Sequence, residues 1–314
     1  MMKVLFIDSA HSVLREDFEK AGLSCISFKG YTRDDYKRII AEYDGIIIRS
    51  GIQMDKEMLD LASNLKFIGR VGAGMESIDV EYAERKNIRC FNSPEGNRDA
   101  VGEHALSMLL MLFNNLKRAD NQVRKGIWSR EENRGLEIKG KTVGIIGYGN
   151  MGSAFAQRLK GFECTILAYD KYKTCFGNEF VKESTLEELF NQCEILSLHV
   201  PLTDETRYMF DEPFISKFSH PFYLINTARG PVVKTSALVN ALKSGNIKGA
   251  CLDVLEYEKF SFENLGLENL PPDLHYLFEA ENVILTPHIA GWTVESKYKL
   301  AKVLGEKILA HLQT

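Results

Sequence analysis

Apolar positions along this chain come in short unbroken runs rather than strict alternation, and most runs are followed by a stretch with helical spacing. The first series of runs covers 4–8, 25–28, 45–49, 67–71 and 88–91, with amphipathic stretches at 13–21, 34–41 and 56–61 between them. A strand that is apolar throughout is one covered on both faces, the condition of a parallel sheet with helices above and below. Five such strands predict a flavodoxin-like unit. A second series covers 142–146, 165–169, 195–200, 222–226, 250–254 and 283–286, again alternating with helices. Six strands in that rhythm predict a Rossmann-type sheet.

Between the two series, Asn92-Ser93-Pro94-Glu95-Gly96-Asn97 has the composition of a connection. A long helix is expected after it, over 99–120. Its segment 105–113 is apolar nearly all round, so it should be sandwiched between layers or subunits. A last helix, 294–311, is expected to pack back on the first domain and make it discontinuous. The expected architecture is α/β with two parallel-sheet domains and a cleft between them. Residues 1–96 plus 291–314 form the flavodoxin-like substrate domain, and 97–290 the dinucleotide-binding Rossmann domain. The stretch 259–280 holds Leu265, Leu267, Leu270, Pro271-Pro272 and Leu274 without a clear period, and reads as a long ordered loop.

Composition narrows the function. With 45% apolar and 26% charged residues, the chain has the make-up of a globular enzyme. A formal net charge of −4 offers no global positive field to nucleic acid or to an acidic membrane. The opening run, Met1 to Asp8, is too short for a signal peptide and reads as a first strand. The apolar stretch 105–113 is too short to span a bilayer. Cys25, Cys90, Cys164, Cys175, Cys193 and Cys251 form no C-x-x-C pair and mostly sit in apolar runs. That fits reduced thiols in a cytoplasmic protein and gives no framework for a bound metal.

The most specific local signal is Val143-Gly144-Ile145-Ile146-Gly147-Tyr148-Gly149-Asn150-Met151-Gly152, a strand running into a helix. Gly147 takes the tight turn, Gly149 lets the backbone approach a pyrophosphate, and Gly152 allows close helix–strand packing. The following helix offers unpaired N–H groups and the positive end of its dipole. Asp170, 18 residues beyond Gly152, ends the next strand, where a carboxylate accepts hydrogen bonds from the adenosine ribose. It would repel a 2′-phosphate, so NAD is expected over NADP, although Lys171 and Lys173 nearby weaken the discrimination. A second pair, Gly72-Ala73-Gly74, lacks the third glycine and the acid. It is no dinucleotide site, but its amides can form a nest for an anion such as a substrate carboxylate.

Three further motifs end successive strands of the second series: Asn226-Thr227-Ala228-Arg229-Gly230, Leu252-Asp253-Val254-Leu255-Glu256-Tyr257-Glu258 and Thr286-Pro287-His288-Ile289-Ala290-Gly291. Ligands of open α/β sheets bind beyond the carboxyl ends of the strands, so Arg229, Glu258 and His288 should converge there. With Val71-Gly72-Ala73-Gly74, Pro94-Glu95-Gly96-Asn97, Glu103-His104 and His199-Val200-Pro201-Leu202 in order along the chain, the sequence resembles the D-isomer-specific 2-hydroxyacid dehydrogenases. The resemblance implies a hydride transfer between NAD and C2 of a small 2-hydroxy or 2-oxo acid. It places the family's catalytic residues on Arg229, Glu258 and His288. His288 is then the general acid or base, Glu258 orients it, and Arg229 grips the substrate carboxylate. It also places Thr227, Ala228, Asp253, His199, Val200, Pro201 and Gly291 about the cofactor, and implies a homodimer built through the 99–120 helix.

Arg49-Ser50, at the end of the third strand, is expected to meet substrate together with Gly72 to Gly74. Gly126-Ile127-Trp128-Ser129-Arg130 and Gly135-Leu136-Glu137-Ile138 resemble the phosphoglycerate dehydrogenase members, and Arg49 and Arg130 suit a phosphate. D-3-phosphoglycerate is therefore the expected substrate, with glyoxylate or hydroxypyruvate reduction as the alternative. A relative acting on formate or phosphite, or an NAD-sensing binding protein resembling the C-terminal-binding corepressors, is a further alternative. The sequence departs from the family after Glu258: Lys259 stands where Pro is common, and a long segment precedes Asn282. No regulatory domain is expected beyond the last helix.

Overall fold

The computed structural model describes residues 1–258 and 270–313. The chain divides into two compact units, Met1–Arg98 with Trp292–Thr314, and Asp99–Gly291.

The first unit is built on a parallel sheet of β1 (Lys3–Phe6), β2 (Ser24–Ser27), β3 (Gly45–Ile48), β4 (Phe67–Arg70) and β5 (Arg89–Asn92), in the order β2-β1-β3-β4-β5. The central strand β3 reads Gly-Ile-Ile-Ile and is buried throughout. Successive side chains of a strand point to opposite faces, which sorts these residues into two cores. Ile46 and Ile48 pack with Leu5, Ile68, Tyr36 and Met58. Ile47 packs with Val4, Phe6, Phe67, Leu14 and Phe18. The covering helices are α1 (Ser12–Lys20), α2 (Arg33–Ile39), α3 (Lys56–Leu61) and α4 (Val80–Arg85). Side chains of His11, Thr32, Asp55 and Asp79 cap their first turns. The C-terminal helix α12 (Val294–Leu312) joins this unit, contributing Leu300, Ala301, Leu304 and Ile308 to the second core.

The second unit carries a parallel sheet of β6 (Thr142–Ile146), β7 (Thr165–Tyr169), β8 (Lys182–Glu183), β9 (Ile195–Leu198), β10 (Phe222–Asn226), β11 (Ile247–Leu252) and β12 (Val283–Leu285). Its order is β12-β11-β10-β9-β6-β7-β8. The helices are α5 (Arg98–Phe113), α6 (Leu116–Arg124), α7 (Asn150–Leu159), α8 (Leu186–Gln192), α9 (Glu212–Ile215), α10 (Thr235–Ser244) and α11 (Pro272–Glu279). Two cores again lie on the two faces, one holding Ala105, Leu109, Phe113, Val143, Ile145 and Phe155, the other Leu196, Leu198, Phe222, Leu224 and Leu238.

Three expectations are corrected. The sheet has a seventh strand, β8, whose two residues Lys182 and Glu183 are both exposed and give no apolar signal. The helix expected over 99–120 is two helices. The chain breaks at Asn115, which is left-handed (φ 51°, ψ 30°) and donates through Nδ2 to the Arg134 carbonyl at 3.2 Å. Asn tolerates that conformation better than other residues with a side chain. The apolar half, α5, is buried, whereas α6 has no buried residue. The stretch read as a loop contains α11, begun by Pro271-Pro272 and anchored by buried Leu274 and Leu277. Leu265 and Leu267 lie outside the described residues. Among the described residues, no helix is long and apolar enough to cross a membrane.

Candidate active site

All pairings in the second sheet are parallel, so every strand ends at the same edge. From β12 inward, the loops at that edge carry His288, then Glu258, Arg229, His199, the glycine turn after β6, and Asp170 after β7. From β6 the chain runs outward to β7 and β8, then returns to β9 on the other side. That reversal is where α/β sheets open a crevice for a ligand.

The glycine turn has the shape a dinucleotide needs. Gly147 is at φ 92°, and a side chain there would press on the His199 carbonyl. A Cβ on Gly152 would lie 2.0 Å from the Gly147 carbonyl oxygen, so α7 meets the turn only because both residues are glycine. A Cβ on Gly149 would meet no atom within 4 Å, which leaves its face open to a pyrophosphate. Among the described residues, the amides of Asn150, Met151 and Gly152 have no acceptor, as the first turn of α7 requires for anion binding. The residues present therefore fit NAD.

Asp170 braces this turn. Its carboxylate accepts from the Tyr148 amide at 2.7 Å and from the amides of Tyr172 and Lys173 at 2.9 and 3.0 Å. The two lysines expected to weaken discrimination against a 2′-phosphate are engaged elsewhere. Lys171 pairs with Glu205, and Lys173 Nζ donates to the Tyr148 carbonyl at 3.3 Å. On the neighbouring strand His199 shares Nε2 with the Ser197 hydroxyl at 2.8 Å, while Nδ1 is sealed without a partner among the described residues. Part of the residue stays accessible, but burial of the ring pushes its pKa down to about 3, so it is neutral at working pH. The following Val200 lies against the turn, a Cβ on Gly147 being 3.1 Å from its amide, and the Pro201 carbonyl accepts from Thr206 Oγ1 at 2.6 Å within its own loop.

The outer three loops hold the reacting types. His288 Nδ1 lies 2.9 Å from Glu258 Oε2, and both side chains remain about a quarter exposed, at 26% and 23%. Arg229 lies in the loop after β10, and its Nη1 donates to the Ala228 carbonyl at 2.7 Å. Its loop presses against the loop of Glu258: a Cβ on Gly230 would sit 1.9 Å from the Leu255 carbonyl oxygen. The Ala228 amide is held by Asn226 Oδ1 at 3.0 Å, and Thr227 Oγ1 is buried with no partner among the described residues.

Asp253 does something the sequence did not announce. It is 1% exposed. Its Oδ1 accepts from the Ile289 amide at 2.8 Å and the Thr286 hydroxyl at 2.6 Å, and its Oδ2 accepts from the Ala290 amide at 2.9 Å. Its carbonyl accepts the His288 amide at 2.8 Å. His288 itself is left-handed, at φ 56°. One buried carboxylate thus shapes the loop that presents the imidazole and continues to Gly291. His104 Nε2, 3.0 Å from the Thr286 hydroxyl, extends the network to α5. That contact spans 182 residues of sequence, and no local pattern reveals it.

In the first unit, Arg49 and Ser50 follow β3. The Asp8 carboxylate accepts the Arg49 amide at 2.6 Å and the Gly51 amide at 3.0 Å. The Gly72 amide is taken by the Arg70 carbonyl at 2.9 Å, so among the described residues only the amides of Ala73 and Gly74 lack an acceptor in that nest.

Comparisons with known proteins give the family of the chain. The family model for the NAD binding domain of D-isomer specific 2-hydroxyacid dehydrogenases matches residues 106–290. A glyoxylate reductase of Thermofilum pendens is 37% identical over 90% of this chain and 82% of its own length. A D-3-phosphoglycerate dehydrogenase of Archaeoglobus fulgidus is 33% identical over 98% of this chain, which spans only 57% of that protein. The solved D-lactate dehydrogenase of Aquifex aeolicus, complexed with NAD and lactic acid, superposes with a TM-score of 0.84 at 31% identity, over 99% of this chain and 95% of that one.

Proposed function

The chain belongs to the D-isomer-specific 2-hydroxyacid dehydrogenases, NAD-dependent oxidoreductases, and from that premise we propose that it interconverts a small D-2-hydroxy acid and its 2-oxo acid, with D-3-phosphoglycerate as the substrate. The observation that carries the reading is the Glu258–His288 pair, which joins two strand-end loops, the first of them beside that of Arg229, on the same sheet edge as an open glycine turn.

NAD supplies the carrier of the hydride that joins or leaves C2. The protein does the rest. In reduction, His288 gives a proton to the carbonyl oxygen as that oxygen gains charge; in oxidation it takes the proton back. Glu258 accepts from Nδ1, fixing the ring's orientation and leaving Nε2 to exchange the proton. Arg229 binds the carboxylate next to C2 through its planar fork, which aligns the reacting carbon. Asp170 engages the adenosine ribose while it braces the turn. Arg49, Ser50 and the amides of Ala73 and Gly74 are proposed to bind the remaining oxygens of the substrate.

Phosphoglycerate is preferred because Arg49 is a partly buried cation suited to a phosphate. Reduction of glyoxylate or hydroxypyruvate is the second reading, supported by the similarity to the Thermofilum pendens enzyme. Rates of NADH oxidation with phosphohydroxypyruvate, hydroxypyruvate and glyoxylate separate the two. A kcat/KM for phosphohydroxypyruvate at least about tenfold above the others, some 1.4 kcal/mol of transition-state binding, supports the first. The reverse order supports the second.

A further inference from the structure

Arg49 does not reach out to a protein anion. Its guanidinium lies over the ring of Trp292, 4.4 Å from the ring centre. Burial pulls its pKa down, and the nearby Asp8 carboxylate only partly offsets this. Asp8 is itself committed to the amides of Arg49 and Gly51. Among the described residues, the guanidinium makes no hydrogen bond and no ion pair, and Trp292 is its one aromatic contact. A guanidinium has five N–H donors in one plane. A ring against its face removes water from that face and leaves the N–H edge to be used. A partly desolvated cation with an idle donor edge is a receptor for an oxyanion.

Trp292 stands out for its own exposure. It is 66% exposed and precedes α12, outside both cores of its unit. A large aromatic side chain in that position contributes little to the stability of the unit, so its contact with Arg49 is the role the geometry gives it. Both residues belong to the first unit, on segments 243 positions apart in sequence.

We propose that Trp292 is a positioning residue for substrate selection: it holds the Arg49 guanidinium flat, with its N–H edge presented to a second oxyanion of the substrate, a phosphate monoester on the carbon chain. The inference rests on the dehydrogenase reading above and adds the device that distinguishes a phosphorylated acid from a plain one.

The test is calorimetric binding of D-3-phosphoglycerate and of D-glycerate to the full chain loaded with NADH. The unmutated protein is expected to bind the phosphorylated acid more tightly. Trp292→Ala should weaken that acid by about tenfold, within the range of a partly desolvated cation–π contact, and shift D-glycerate by less than about twofold. Trp292→Phe should restore most of the loss. In turnover, Trp292→Ala should raise KM for phosphohydroxypyruvate and leave kcat unchanged. An equal loss for both acids, no loss for either, or no preference in the unmutated protein overturns the proposal. If the binding pattern holds while no 2-oxo acid is reduced, the catalytic reading fails and the assignment of Trp292 stands.

Discussion

His288, the proposed acid and base, is placed almost wholly by its neighbours. Its imidazole is set by Glu258 at one nitrogen, and its backbone by the Asp253 carbonyl and the left-handed turn that the Asp253 carboxylate stabilises. His288→Gln is expected to keep NADH affinity and to lower kcat by at least about a hundredfold, the scale of acid–base catalysis. Unchanged turnover would remove His288 from its role. A second histidine titrates for a different reason. Burial holds His199 near pKa 3, below its ordinary 6.5. Between those values the unfolded chain binds the proton and the folded chain does not. The contribution of His199 is therefore whole above pH 6.5 and drains away as pH falls toward 3. Denaturant titrations from pH 7 down to pH 4 should show the unmutated protein losing stability more steeply than His199→Gln, by at most about 1.4 kcal/mol per pH unit. Parallel curves would mean that His199 is hydrated in the folded protein.

Among the elements, strand ends and helix starts carry the chemistry. The β6–turn–α7 unit works because two glycines let the helix begin against the strand. Gly152→Ala drives a methyl into the Gly147 carbonyl, 2.0 Å away, and should abolish NADH binding with the fold otherwise retained. Normal cofactor affinity in that variant would show the turn to be spare. This signal was legible in advance because its spacing is local, as were the runs that became β1 to β7 and β9 to β12. What was not legible lay where local pattern and tertiary context part. The apolar face of α5 runs on in sequence toward α6, and only the left-handed Asn115 turns the chain out of the core. The helix α11 is short, and two prolines disguise its start. The two residues of β8 pair through their backbone alone. Asp253 read as a cofactor contact, because nothing in its neighbours shows that it gathers the amides of residues 289 and 290.

For the whole molecule, the α/β class with two parallel sheets followed from the rhythm of apolar runs, and the family followed from motifs spread over nearly all of the chain. The proposed choice of acid rests on a few side chains, such as Arg49 and Trp292, whose pairing no spacing announces. We further propose a homodimer, in which exposed Leu116, Val123, Ile127 and Trp128, half or more exposed or nearly so, are covered by a second copy. Light scattering should return twice the chain mass of 35.6 kDa, and a monomer would contradict this.

The central claim, that a hydride passes between nicotinamide and C2 of a 2-oxo acid in this protein, is tested most directly with NADH deuterated at C4 and a panel of 2-oxo acids. The account predicts a D-2-hydroxy acid carrying one deuterium at C2, formed by the unmutated protein and all but lost in His288→Gln. Tight NADH binding with no transfer of deuterium to any acid of the panel would contradict it.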